Sequence, residues 1–124
     1  MVDTWRRMSC FVSPAGRNKI KDWRDDLSPG EKADADEFIK NMRRIKDWAF
    51  PDWKPLFDGI GELRWKSEKK QHRLIGYFNE EIFIALIGCT HKQKQYSPTD
   101  ALDTCKKRRD QIKSGEGSIC NYDL

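Results

Sequence analysis

The chain has 124 residues and a formal net charge of +4, with 37% hydrophobic and 35% charged residues. That length fits one domain, residues 1–124, and excludes a large cavity enclosed between two. Five Trp, six Phe and three Tyr supply enough apolar surface for a packed core, which argues against a disordered chain. No apolar run reaches the length of a membrane span, so no membrane partner is expected. The first residues lack the apolar stretch of a signal peptide, and a cytoplasmic protein is the resulting expectation.

Residues 1–7 read as a loose extension, with Met8 as an alternative start, and residues 8–13 as a short strand. Ile20, Trp23 and Leu27 recur at helical spacing, which predicts a short helix over 19–27. Ser28-Pro29-Gly30-Glu31 is a capping box with proline at the first helical position. Ala35, Phe38, Ile39, Met42, Ile45 and Ala49 follow on one face, so this second helix is expected to run to about Trp48 and to stop at Pro51. Residues 52–59 contain Pro55 and Gly59 and read as a loop.

Three strands come next. Glu62-Leu63-Arg64-Trp65-Lys66 alternates charged and apolar, which predicts one wet face and one dry face. Residues 72–78 form the second strand, with Arg73, Ile75 and Tyr77 on one face and His72, Leu74 and Phe78 on the other. After a tight turn at Asn79-Glu80-Glu81, residues 82–90 are apolar throughout, as in a central strand covered on both faces. A basic loop leads to Ser97-Pro98-Thr99-Asp100, which opens a last helix by the same capping logic. Ala101, Leu102, Cys105 and Ile112 face inward there, and residues 113–124 read as a flexible tail. The expected fold class is α+β: N-terminal helices on one side of a twisted antiparallel sheet, then a C-terminal helix.

Cys10, Cys89, Cys105 and Cys120 are widely spaced with no Cys-x-x-Cys, so buried free thiols are expected rather than a zinc knuckle or a secreted disulfide scaffold. The chemistry-bearing residues gather around the three strands. Arg64 and Lys66 share a face, Arg73 can share it from the next strand, and the central strand emits His91, Lys92, Lys94 and Tyr96 at one rim. Guanidinium and ammonium groups hold phosphate and offset charge in a phosphoryl transition state. Histidine moves protons near neutral pH, and tyrosine stacks on a base. RNA carries its own nucleophile, the 2′-OH, so this inventory needs neither metal nor cofactor. The same residues also fit an ordinary solvated face, Arg73 and Arg64 pairing with Glu62, Glu80 or Glu81. Lys107 and Arg108, on the last helix, suit the helix dipole or an RNA phosphate.

Glu62-Leu63-Arg64, His72-Arg73-Leu74-Ile75-Gly76-Tyr77-Phe78, Thr90-His91-Lys92-Gln93-Lys94, Ser97-Pro98 with Ala101-Leu102, and Lys107-Arg108-Arg109 occur in an order that resembles the RelE/ParE toxin superfamily. The branch most resembled is the HigB-like, phage-type group, over roughly residues 8–112. The resemblance implies the toxin of a type II toxin–antitoxin pair. Its partners would be a cognate antitoxin, in HigB-like pairs often a helix-turn-helix repressor, and the 70S ribosome with its bound mRNA. The implied reaction is metal-free endoribonuclease cleavage by 2′-OH attack. Carried over by position, Arg73 contacts the scissile phosphate, and His91, Lys92 and Tyr96 are the other catalytic candidates. Arg64, Lys66, Lys94, Lys107 and Arg108 are candidates for RNA or phosphate binding. Glu62 departs from a lysine of the ribosome-dependent nucleases. Gly88-Cys89-Thr90-His91 departs from the phage-type Phe and paired lysines. These departures keep open two alternatives: a ParE-like gyrase inhibitor without nuclease activity, or an inactive nucleic-acid or antitoxin-binding module.

Overall fold

A computed structural model describes residues 6–123. The elements in chain order are β1 (Arg7–Val12), α1 (Lys19–Asp25), α2 (Pro29–Met42), β2 (Trp53–Phe57), β3 (Ile60–Ser67), β4 (Lys70–Asn79), β5 (Ile82–Lys92), β6 (Gln95–Ser97), α3 (Ala101–Ser114) and β7 (Ser118–Asn121). The fold is α+β, as expected. The sheet order is β2-β3-β4-β5-β1-β7, with β6 also paired to β5. It is mixed rather than purely antiparallel, because β1 runs parallel to β5.

Strand alternation divides the core in two. Leu63, Trp65, Leu74, Phe83 and Ala85 pack against Ile20 of α1 and Ala35, Ile39 and Met42 of α2. Ile60, Ile75, Ile84, Leu86 and Cys89 pack against Ala101 and Cys105 of α3. The helices therefore cover both faces, and the expectation of one covered side is corrected. A β5 that is apolar on both sides requires this arrangement.

Four boundaries differ from the sequence reading. First, α2 ends at Met42, not near Trp48. The Trp48 indole Nε1 turns back and donates to the Met42 carbonyl at 2.9 Å, satisfying one of the helix's last free acceptors. Second, residues 53–57 are strand β2, not loop. Pro55 is tolerated because β2 is an edge strand. Third, the tail is not loose. Tyr122 is buried, and β7 pairs antiparallel with β1. Fourth, α3 starts at Ala101 behind Asp100, which makes no side-chain capping bond. Ser97 belongs to β6 instead. Of the proposed N-terminal extension, residues 1–5 lie outside the described residues. Arg6 is engaged, its N–H donating to the Arg43 carbonyl at 3.1 Å. The capping box at Ser28 and Glu31 forms as expected.

One irregularity re-aims the central strand. Ile75 pairs with Ile87 but Gly76 pairs with Ala85, so Leu86 is an extra residue in β5. Such a bulge shifts the alternation by one. Phe83 and Ala85 face the α1/α2 side, whereas Ile87 and Cys89 beyond the bulge face the α3 side. His91 follows that second phase. Two-residue turns with positive φ at both positions, Glu68-Lys69 and Gln93-Lys94, close the β3–β4 and β5–β6 hairpins. Among the described residues no helix is long and apolar enough to cross a membrane.

Candidate active site

Beyond the end of α3's coverage, the second sheet face carries a cluster of polar side chains. Arg64 of β3 sits opposite Arg73 of β4, and Arg73 opposite Cys89 of β5. His91 sits opposite Tyr96 of β6, with ring centroids 4.9 Å apart in an edge-on contact. Glu62 is the hub. Its Oε1 accepts from the Tyr96 hydroxyl at 2.6 Å. Its Oε2 lies 3.2 Å from Arg64 Nε and 3.4 Å from Arg73 Nε. The sheet thus brings together Arg64, Arg73, His91 and Tyr96.

Arg73 is not on an open face. Its side chain is only 4% exposed, the same as Glu62. Burial pushes its guanidinium pKa down, and the Glu62 carboxylate opposes that. Its Nη1 donates to the His72 carbonyl at 2.8 Å. The Nε atoms of Arg64 and Arg73 are at ion-pair distance from Glu62 but complete no hydrogen bond within the described protein. Arg64 is the more accessible of the two at 23%. Tyr96 is held protonated: burial pushes its pKa up, and its hydrogen bond to Glu62 adds to that. His91 goes the other way. Burial lowers its pKa first, Arg73 next, with Arg64 and Lys54 adding to the shift and Glu62 opposing it. At neutral pH His91 is therefore a neutral imidazole with one lone pair available.

The other sequence candidates lie around this cluster or away from it. Strand alternation points Lys92 opposite to His91, yet both line one groove of about 550 Å³ with Lys69 and Lys70. Lys94 is in the β5–β6 turn. Lys66, exposed at the end of β3, lines a cleft of about 310 Å³ with Arg64, Arg73 and Gln71. Lys107 is exposed on α3, away from the cluster. Arg108 is engaged: its Nη1 donates to the carbonyl of the bulged Leu86 at 2.7 Å, and its guanidinium lies over the Phe11 ring. It satisfies an acceptor that the bulge leaves off the ladder. Removing it by Arg108→Met is expected to destabilise the protein by about 2 kcal/mol, the range for a hydrogen bond to a charged group. Urea unfolding measures this, and an unchanged midpoint would show that the bulge needs no such support.

His72, on the other face of β4, is fully buried. It stacks on Trp65 and lies 3.2 Å from Glu31 Oε2. Sequence reasoning missed three members of the site. Glu62 looked like a departure. Lys54, the β2 partner of Glu62, was assigned to a loop. Phe50 is 71% exposed at the rim of the cleft, and the Arg64 guanidinium lies 5.2 Å from its ring centroid. The charge alternation of β3 was a signal for Glu62; nothing local marked Phe50.

Residues 22–110 match the family model described as Phage derived protein Gp49-like (DUF891). The chain belongs to that family. The match runs from within α1 through most of α3 and includes Glu62, Arg64, Arg73, His91 and Tyr96. No curated protein and no solved structure gave a significant match. The Gp49-like family is a phage-derived, toxin-like family of the RelE/HigB-type toxin superfamily, which is consistent with the toxin of a toxin–antitoxin pair and points to an antitoxin partner.

Proposed function

We propose that this Gp49-like protein is a type II toxin that cleaves ribosome-bound mRNA, with the transcript's own 2′-OH as nucleophile. The observation that carries the reading is a neutral imidazole on the same sheet face as two guanidiniums, of which Arg64 remains partly exposed. In this mechanism His91 takes the proton of the 2′-OH as its oxygen attacks the adjacent phosphorus. Arg64 and Arg73 offset the charge that builds on the phosphoryl oxygens. The P–O5′ bond breaks, giving a cyclic phosphate, and the departing oxygen takes a proton from solvent. Tyr96, tied to Glu62, holds the imidazole edge-on rather than donating a proton. Phe50 offers a face for a base flanking the scissile bond. A titratable ring in this position favours the nuclease over a gyrase inhibitor on the same fold.

The test is cleavage of mRNA on programmed ribosomes, run beside a DNA supercoiling assay. Cleaved transcripts with 5′-OH ends are expected; intact mRNA with blocked supercoiling would reverse the assignment. The pH dependence follows from His91. A base must be deprotonated, and its pKa is shifted down, so the rate falls only as pH drops below the ordinary histidine value of about 6.5. His91→Ala is expected to lower the cleavage rate more than ribosome affinity and to erase that acid limb. An acid limb that survives the substitution would assign the base elsewhere.

A further inference from the structure

The β1–β7 pair carries a second chemical feature, on the α1/α2 side of the sheet and unrelated to the polar cluster. Cys10 and Cys120 are direct cross-strand partners. Residues directly opposite in an antiparallel pair share a face, with Cα atoms about 4.5–5.5 Å apart, inside the span that a disulfide bridges. Both thiols are free. They differ in access. Cys10 is fully buried, and Cys120 is exposed on the edge strand of the sheet. A third group completes the arrangement. Asn18 caps α1, its Oδ1 accepting from the N–H groups of Ile20 and Lys21 at 3.1 and 3.0 Å. That leaves its Nδ2 to donate to Cys120 Sγ at 3.3 Å. The cap fixes which way the amide points, with its N–H toward the exposed sulfur.

We propose that Cys10 and Cys120 form a peroxide-responsive dithiol site, in which Cys120 is the attacked-first sulfur, Cys10 resolves it, and Asn18 is the positioning residue. The Cys120 thiolate attacks one oxygen of hydrogen peroxide, the O–O bond breaks, and Cys120 becomes a sulfenic acid while the leaving hydroxide takes up the proton that Cys120 had lost and departs as water. Cys10 sulfur then attacks the Cys120 sulfur. The S–O bond breaks, and the leaving hydroxide takes the Cys10 proton as a second water. Two thiols are oxidised and one peroxide is reduced, so the exchange balances. The order follows from burial, which holds Cys10 as a thiol, its pKa pushed up to about 12, and keeps it out of reach of the oxidant. Closure joins residues at opposite ends of the chain and fastens β7, with the buried Tyr122 beside it, to β1.

The experiment treats the folded, reduced protein with hydrogen peroxide and reads intact mass and a non-reducing peptide map. A loss of about 2 Da and a Cys10–Cys120 cross-linked peptide are expected. The cross-link should raise the thermal midpoint by roughly 10 °C, because it closes a loop spanning most of the chain. Cys10→Ser should stop at a Cys120 sulfenic acid that dimedone traps. Asn18→Asp keeps the helix cap but removes the donor, so alkylation of Cys120 by iodoacetamide should slow with the thermal midpoint unchanged. A disulfide-linked dimer through Cys120, or oxygen added to Cys120 with Cys10 still free, would overturn the proposal. An alkylation rate unchanged by Asn18→Asp would remove Asn18 from it.

Discussion

Replacing Glu62 with glutamine is expected to destabilise the protein by about 3 kcal/mol, the low end of the range for breaking a buried ion pair. The side chain is 4% exposed and serves three partners at once: Arg64, Arg73 and the Tyr96 hydroxyl. Glutamine keeps the volume and can still accept from Tyr96. It cannot balance Arg73, whose charge would then sit buried and uncompensated. Arg64 contributes less to the loss, because it is partly solvated. In urea unfolding the midpoint should fall with the slope unchanged. A second substitution, Arg73→Met, should recover most of the loss, since the unpaired charge and not the missing carboxylate is what destabilises. If Glu62→Gln alone unfolds at the parent's midpoint, the hub is not structural.

Arg73→Ala is expected to abolish growth arrest and to lower cleavage by at least about 100-fold, the size of losing one charge-stabilising donor in a phosphoryl or acyl transition state. Because Arg73 is buried, this variant also loses stability, and its activity has meaning only below its own unfolding midpoint. Arg64→Ala separates the two effects. Arg64 is more exposed and makes no hydrogen bond from its Nε, so its removal should cost activity with little change in the urea midpoint. Full activity in folded Arg73→Ala would remove the phosphate from this cluster altogether.

Much of the architecture is legible from local patterns. The capping box starts α2, the apolar run of β5 announces cover on both faces, and period-two alternation locates β3 and β4. These signals are local because the residues that carry them lie within one turn or one strand of each other. The elements that were missed have no such signal. β7 reads Ser-Ile-Cys-Asn and is a strand only because β1 offers it an edge. β2 contains a proline that marks a loop unless the strand lies at the margin of a sheet. The end of α2 is set by Trp48 folding back onto Met42.

The site divides in the same way. Arg64, Arg73, His91 and Tyr96 can be picked out as residue types suited to holding phosphate and moving protons. That they meet is decided by register and by one extra residue. Without the bulge at Leu86, simple alternation from Phe83 and Ala85 would put His91 on the α1/α2 face, away from Arg73. The same shift leaves Lys92 pointing away. Glu62 shows the reverse case, where residue type misled: an acidic side chain in a basic strand looked like a departure from a nuclease. Its neighbours across β4 and β6 make it the group that balances the arginines. Residue chemistry is written in the chain one position at a time. Pairing between distant strands, and the burial that comes with it, decides which of those groups share a face and in what state of charge.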